Sequence, residues 1–195
     1  MIRTTAPSNP SNSVAAVFAQ HSGAEKAVKE LKDGGFDVKK LSIVGSDYVG
    51  RWYEIARYPT HFEKDCASDV TATYTQRSGG KIEVVNECRT GDGRVKRSKG
   101  TASVVDKRTN AKLKVTFFWP FSGNYWIIDL APDYSYAVVG EPDRKYLWIL
   151  SRSSHLTESV YGQIVTRVRE LGYDPSLLMK TTHNGPEPLA GARRN

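Results

Sequence analysis

The chain has 195 residues, 39% hydrophobic and 25% charged, a composition typical of a globular protein that can bury a core. Its net charge of +7 would suit a nucleic-acid binder, but the basic residues alternate with apolar ones and form neither a block nor a stripe. We therefore expect no nucleic-acid partner; a weak attraction to anionic membrane surfaces fits the charge equally well. No segment of the sequence reaches the roughly 20 apolar residues of a transmembrane helix.

Both ends of the chain have the composition of disordered segments. Residues 1–12 contain two prolines and several Ser, Thr and Asn residues, and residues 183–195 ("HNGPEPLAGARRN") are similar. The apolar stretch at residues 14–19 is shorter than the core of a signal peptide and follows no clear basic cluster. The sequence therefore predicts two disordered ends and no recognisable export signal.

Residues 13–45 have a β-α-β pattern. Ser22 and Glu25 have capping-box spacing at the start of the helical stretch, and Gly34 and Gly35 can end it. One helix on two strands has too small a core to fold alone. The segment "VFAQHSGAEKAVKELKDGGFDVKKLSIVG" resembles the first half of a bacterial general-stress domain of ferredoxin-like fold, whose second half has no counterpart here. It is therefore a partial module, which can also serve as an interaction arm.

Short apolar segments separated by turn signals follow from residue 46 onward. Their regular spacing and polar-apolar alternation predict an all-β domain, an eight-stranded antiparallel up-and-down barrel wide enough for one small ligand. A C-terminal α-helix follows, with Thr157 as its N-cap and Gly172 and Pro175 ending it. The predicted domain covers residues 46–182.

Three motifs in this region carry a resemblance to a known family. Gly50 and Trp52 form a Gly-x-Trp triplet on the first strand, "PDYSYAVV" occupies residues 132–139, and Arg152 ends the last strand. Together they resemble the conserved motifs of lipocalins, and "GRWYEIARYPTHFEK" and "AVVGEPDRKYLWILSR" narrow the resemblance to the bacterial Blc group, relatives of apolipoprotein D. The resemblance implies a non-catalytic protein without a cofactor or metal, which carries fatty acids, phospholipids or lysophospholipids for membrane maintenance under stress.

The resemblance also implies roles for particular side chains. Trp52 is expected across the closed end of the barrel, Arg152 over its ring, and Gly50 where the backbone approaches closely. Alternation along the strands, anchored on the family pattern, then predicts a set of inward-facing, ligand-binding residues. A solid core built from the same residues is the alternative. The predicted set is Val70, Ala72, Tyr74, Ile82, Val84, Ala102, Val104, Leu113, Val115, Phe117, Tyr125, Ile127, Trp148 and Leu150.

The two cysteines, Cys66 and Cys88, lack neighbouring metal ligands. Counting back from the turn "QRSGG" places them nearly opposite each other, so a disulfide is feasible in an oxidising compartment. The alternative is a pair of free thiols, one of which could act as the nucleophile of a lipid-modifying enzyme.

The resemblance to the Blc group also carries expectations about partners and location. The ligand is expected to be a small hydrophobic acyl lipid, while Trp119 and Phe121 could contact a membrane, contact a second subunit in a homodimer, or pack on their own hairpin. Blc proteins are typically anchored in the outer membrane through a lipidated cysteine. Here residues 13–45 stand in the place of that leader, which predicts a cytoplasmic protein. A protein-interaction scaffold that uses this arm is the functional alternative.

Overall fold

The computed structural model describes residues 48–106, 111–118 and 121–185 of the chain. The predicted disordered segment 1–12, the predicted β-α-β module 13–45 and residues 186–195 of the predicted tail lie outside them. The described part of the chain is an antiparallel β-barrel with a helix against its outer face.

The strands follow one another around the barrel in chain order, so each pairs with its sequence neighbour. Their bounds are β1 Gly50–Arg57, β2 Cys66–Gln76, β3 Lys81–Thr90, β4 Val95–Val104, β5 Lys112–Phe118, β6 Phe121–Leu130, β7 Tyr136–Gly140, β8 Leu147–Ser151 and a short β9 Met179–Lys180. β4 forms a long hairpin with β3, in which Arg89 pairs with Val95 and Lys81 with Ser103.

Strand β1 closes the barrel, because its first half pairs with β2 and its second half pairs with β8. Gly50 lies opposite Tyr74 of β2, and Arg57 lies opposite Trp148 of β8. β9 pairs with Ala56 and Arg57, on the edge of β1 that pairs with β2 only as far as Tyr53. The predicted eight-stranded up-and-down barrel with a C-terminal helix is therefore confirmed, with β9 as an addition.

Apolar residues of the barrel fall into two separate cores. The interior core includes Val84, Ile127 and Leu150. The exterior core lies between the strands and the helix and includes Val138 and Ile149, whose chain neighbours point inward. An irregularity between Glu54 and Ala56 interrupts the alternation of β1 and brings Ile55 to the exterior core. Strands β7 and β8 are thus apolar on both faces.

The helix, α1, spans Glu158–Glu170 and begins where the sequence predicted. The Thr157 side chain accepts a hydrogen bond from the Val160 backbone N–H, which satisfies one of the otherwise unpaired donors of the first turn. Ile164 and Val168, one turn apart, are buried against the barrel. Gly172 follows the helix with a φ of 84°, a conformation that glycine adopts without steric cost.

The segment after α1 runs back across the barrel and is bonded to it beyond the predicted domain boundary at residue 182. Thr181 donates its backbone N–H to the Ile55 carbonyl, and the Asp69 N–H donates to the Thr182 carbonyl. Asn184, which the sequence placed in the disordered tail, donates its backbone N–H to Asp69 Oδ1 at 2.8 Å. This segment covers the gap where β1 leaves β2.

Cys66 and Cys88 form a disulfide with their Cα atoms 5.5 Å apart, at the ends of β2 and β3 away from their connecting turn. The bridge joins residues 22 apart and therefore closes a loop that the strand pairing alone would leave open when the hairpin frays.

Replacing both cysteines in a Cys66→Ser, Cys88→Ser variant should lower the free energy of unfolding by about 3 kcal/mol, because the bridge restricts the unfolded chain. Chemical denaturation measures this loss. Wild-type protein unfolded in excess reductant is the matched control and should show the same midpoint as the variant. Equal stability of the oxidised wild type and the variant would contradict the expectation.

Candidate ligand-binding site

One end of the barrel is closed by a stack of three side chains, Arg152, Trp52 and Tyr48. Trp52 is fully buried and donates its indole N–H to the Tyr48 carbonyl at 2.9 Å. The Arg152 guanidinium carbon lies 3.8 Å from the centroid of the Trp52 ring. Arg152 also donates to the carbonyls of Arg51 at 2.8 Å and Val49 at 3.1 Å. This is the arrangement that the lipocalin resemblance implies for Trp52 and Arg152.

Gly50 fits this end for two reasons. Its φ is +100°, which side-chain-bearing residues rarely adopt, and a Cβ atom there would come within 3.4 Å of Arg152 Nη1. The glycine therefore lets the backbone pass beside the guanidinium that covers Trp52.

Three tyrosine hydroxyls form the floor of the interior above Trp52. The Tyr125 hydroxyl lies 3.0 Å from that of Tyr48 and 2.6 Å from that of Tyr74. Tyr48 also packs its ring on Trp52, with centroids 4.9 Å apart. Burial raises the pKa of each of the three hydroxyls above the ordinary value, so all three hold their protons at neutral pH.

The interior wall contains every predicted inward-facing residue except Val70, which is buried but lies outside the interior core. Ala72, Val104 and Phe117 belong to this wall and yet keep part of their surface exposed. Whether these residues contact a ligand stays a prediction.

Sequence reasoning missed several members of the interior core. They are Tyr48, Leu130, Tyr134, Ala137 and Val139. Ala137 and Val139 of β7 could have been placed, because they lie within the 132–139 motif. In the sheet they pair with Leu150 and Trp148 of β8, which were predicted to face inward. Tyr48 precedes β1 and lies outside any alternating pattern, so no strand periodicity could place it.

The opposite end of the barrel carries an aromatic cluster formed by Phe62, Tyr146 and Trp148. Their ring centroids lie 5.8 to 6.3 Å apart, and Phe62 in the β1–β2 connection is 56% exposed. We call this group the mouth cluster. Trp119 and the Phe121 side chain, for which the sequence offers contacts to a membrane, a second subunit or their own hairpin, lie outside the described part of the structure.

A buried polar network lies beside the mouth cluster. Arg57 Nη1 is 2.7 Å from Glu54 Oε1, and Thr181 donates its hydroxyl to the same oxygen at 2.5 Å. Arg57 Nε is 3.7 Å from Glu63 Oε2, which accepts a hydrogen bond from the Trp148 indole at 3.2 Å. The network therefore ties the β1–β2 connection and the C-terminal segment to the barrel wall.

Glu54 is the titrating member of this network. Burial, helped by the nearby negative charge of Glu63, raises the pKa of Glu54 to about 7, although Arg57 and Thr181 favour the ionised form. No sequence pattern predicted a titrating group here, because its partners Glu63 and Thr181 come from the β1–β2 connection and the C-terminal segment.

A concavity of about 510 Å³ on the outside of the barrel is a poorer candidate for an apolar ligand. Its lining includes the ion-paired side chains of Asp69 and Arg89. Glu87, also in the lining, pairs with Arg97 at 2.6 Å. Charged walls of this kind favour water over a hydrocarbon chain.

The described residues provide little for metal or thiol chemistry. Within 48–106, 111–118 and 121–185, no group of three His, Cys, Asp or Glu side chains is placed to hold a metal ion. Both Cys66 and Cys88 are bonded in the disulfide, so neither sulfur is a thiolate.

An eight-stranded barrel that is closed by a buried Trp under an Arg, with a helix on its outer face, defines a small-ligand calyx. Residues 45–183 match the lipocalin-like domain, and the chain belongs to the lipocalin family. Members of this family are generally binding and transport proteins.

Named relatives agree with this assignment. Temperature-induced lipocalin-1 of Arabidopsis thaliana is 41% identical over 159 residues, covering 77% of this chain and 84% of the relative. Outer membrane lipoprotein Blc of Escherichia coli K12 is 40% identical over 142 residues, covering 72% and 76%. Among solved structures, insecticyanin of the tobacco hornworm Manduca sexta superposes with a TM-score of 0.56 at 25% identity, covering 70% and 79%. In the described region of our chain, every helix is too short or too polar to span a bilayer.

The pKa of Glu54 should make stability depend on pH. The folded state holds this proton more tightly than the unfolded state, so its contribution is fully present below pH ~4.5 and is lost as the pH rises through about 7. A Glu54→Gln variant keeps the hydrogen-bond acceptor but cannot ionise. The difference in unfolding free energy between wild type and variant should therefore change by on the order of 3 kcal/mol between pH 4.5 and 8.

Denaturant titrations of both proteins across this range measure the difference, and the variant corrects for all other titrating groups. The wild type should lose stability relative to the variant as the pH rises. Parallel pH profiles would show that Glu54 titrates with an ordinary pKa.

Proposed function

We propose that the chain binds one acyl lipid, a fatty acid, phospholipid or lysophospholipid, inside the barrel and carries or stores it for membrane maintenance. The observation that supports this most directly is the state of the interior wall. Apolar side chains line it, the Trp52 end is closed, and inward-facing Ala72, Val104 and Phe117 remain partly exposed. An interior of this kind favours a flexible hydrocarbon chain over a polar ligand.

The expected affinity follows from the area removed from water. About twelve buried methylenes at roughly 0.8 kcal/mol each gain on the order of 10 kcal/mol. Lost translational and conformational freedom cancels a large part of this gain. A dissociation constant in the micromolar range is therefore the reasonable expectation.

The mouth cluster supports exchange with a membrane surface. Phe62 is exposed at the open end, where its ring can enter the apolar boundary of a bilayer. Exposed Lys64 follows it closely in the sequence, and the chain has a net charge of +7, which favours anionic surfaces. Exchange at this end would let a lipid enter the barrel without crossing water.

A non-catalytic role fits the chemistry of the described residues. The rival hypothesis of a thiol-dependent lipid-modifying enzyme needs a thiolate, and the disulfide removes both candidates. The other rival, a protein-interaction scaffold, depends on residues 13–45, which lie outside the described residues. A homodimer stays a prediction on the same grounds, because it rested on Trp119 and Phe121.

The setting of this function is also a proposal. The E. coli relative is named as an outer membrane lipoprotein, and the Arabidopsis relative as temperature-induced, which supports a role at membranes under stress. A disulfide persists in oxidising compartments and is rare in the cytosol. We therefore favour the cell envelope over the cytoplasm that the sequence alone predicted.

Filling the interior should weaken lipid binding without unfolding the barrel. Ala72 points inward and is partly exposed, so an Ala72→Phe variant places a ring where the acyl chain would lie. We expect palmitate to bind at least tenfold more weakly, because several methylenes lose their site. Displacement of a fluorescent fatty acid, with native mass spectrometry for stoichiometry, measures the effect.

Thr73→Phe on the opposite face of the same strand is the matched control and should keep wild-type affinity. Circular dichroism confirms that both variants are folded. Failure of the wild type to bind any acyl lipid would overturn the proposal, as would equal binding by the two variants.

A further inference from the structure

One guanidinium and two carboxylates share the buried polar network beside the mouth cluster. The side chains of Glu54, Arg57 and Glu63 are only 3%, 10% and 12% exposed. With all three groups ionised, one negative charge stays uncompensated where little water can solvate it, which is costly. A proton on one of the two carboxylates removes that cost.

Arg57 does not satisfy both carboxylates at once. Its Nη1 lies 2.7 Å from Glu54 Oε1, whereas its Nε lies 3.7 Å from Glu63 Oε2, which is beyond hydrogen-bond distance. Within the described ranges of the chain, this buried Nε–H has no hydrogen-bond acceptor. A small rotation of the guanidinium towards Glu63 pairs the Nε–H at the expense of the bond to Glu54. The two carboxylates therefore compete for one cation.

Glu54 is the carboxyl group that takes up the proton. Burial, and then the nearby negative charge of Glu63, raise the pKa of Glu54 to about 7. From the C-terminal segment, His183 faces the same residue and donates its Nε2–H to the Glu54 carbonyl at 2.7 Å. On β8, Glu54 pairs with the apolar Leu150. Among the described residues, Arg57, Glu63 and His183 are thus the charged or titratable groups around Glu54.

The network fastens two segments that border the mouth cluster. Glu63 belongs to the β1–β2 connection, and its Oε2 accepts hydrogen bonds from the Thr60 hydroxyl at 2.8 Å and the Trp148 indole at 3.2 Å. Thr181 belongs to the C-terminal segment and donates its hydroxyl to Glu54 Oε1. Phe62, which precedes Glu63, carries the exposed ring of the mouth cluster. A change of charge on Glu54 therefore acts where both segments are held.

We propose that protonation of Glu54 is a switch that fastens the β1–β2 connection over the mouth of the barrel. With Glu54 protonated, Arg57 pairs with Glu63 and holds the connection against Trp148. With Glu54 ionised, Arg57 stays on Glu54, and Glu63 is a buried carboxylate that lacks a guanidinium hydrogen bond. A larger share of the molecules then release the connection, because Glu63 gains water when it moves outward.

The direction of the switch follows from linkage. Release of the connection takes the charge of Glu63 away from Glu54 and admits water, so Glu54 binds its proton more weakly in the released arrangement. A rise in pH through about 7 therefore favours release, and acidification favours the fastened arrangement. The change takes place in the ligand-free protein, whether or not the proposed lipid binds.

The Trp148 indole N–H reports the state of the connection, because it donates to Glu63. ¹H–¹⁵N spectra of the ligand-free protein follow this N–H, and a Trp148→Phe variant assigns its resonance by absence. Between about pH 6 and 8.5 the wild-type resonance should shift with a midpoint near 7. The Glu54 carboxyl ¹³C resonance should move with the same midpoint.

Glu54→Gln is the matched control, because it keeps an acceptor for Arg57 and Thr181 but cannot ionise. In this variant the indole resonance should stay in place over the same range. Hydrogen exchange gives a second readout at the Glu63 backbone N–H, which donates to the Thr60 hydroxyl at 3.2 Å. Its protection should fall about tenfold in the wild type and stay constant in the variant, since each pH unit above the pKa shifts a coupled equilibrium by up to tenfold.

Three results would overturn the switch. One is a pair of wild-type midpoints, for the Trp148 indole and the Glu54 carboxyl group, that differ by more than about one pH unit. Another is an indole shift that persists unchanged in Glu54→Gln. The third is a shift that persists there but disappears in His183→Gln, which assigns the transition to His183. If Glu54→Gln does not fold, the comparison of the two wild-type midpoints decides.

Discussion

The stacking of Arg152 on Trp52 is the contact on which the rest of the structure depends. A desolvated cation-π pair is worth roughly 0.5 to 2 kcal/mol, and Arg152 adds two hydrogen bonds to backbone carbonyls that precede and follow Gly50. These contacts fix the start of β1 relative to the end of β8 and so close the barrel. Trp52 in turn holds Tyr48 by its indole hydrogen bond, and Tyr48 places the floor hydroxyls.

The barrel wall serves two cores at once, one on each of its faces. Strands β7 and β8 are apolar on both faces, because one face packs against α1 and the other lines the interior. The exterior core is complete, with Val138 and Ile149 fully buried against the helix side. The interior core is not, since several of its members remain partly exposed.

Sequence reasoning reached the barrel and most of its wall for a physical reason. Alternation with a period of two survives wherever the ladder is regular, so Ile82 and Val84 of β3 could be placed from the sequence alone. The Gly50, Trp52 and Arg152 arrangement followed from their motif. The helix boundaries were equally local, because Thr157 and Gly172 mark them through caps.

Features that depend on tertiary contacts could not be found in this way. The Glu54, Arg57 and Glu63 network joins β1 to the β1–β2 connection and, through Thr181, to the C-terminal segment, so it depends on loop paths that no local pattern encodes. The mouth cluster joins Phe62 to residues of the β7–β8 hairpin, more than 80 positions away in the chain numbering. Tyr48 meets Tyr125 only because the barrel closes. Each of these depends on a register or a loop path that periodicity does not encode.

The central claim is that the interior of the barrel, and not its surface, holds an acyl chain. Isotope-filtered nuclear Overhauser spectra of the protein with ¹³C-labelled palmitate test this most directly, because they report which methyl groups lie within about 5 Å of the ligand. The account predicts contacts from the palmitate methylenes to the interior methyl groups of Val84, Val115 and Ile127, with none to Val138 or Ile164 of the exterior core. Contacts to the exterior core alone, or to no core methyl group, would contradict it.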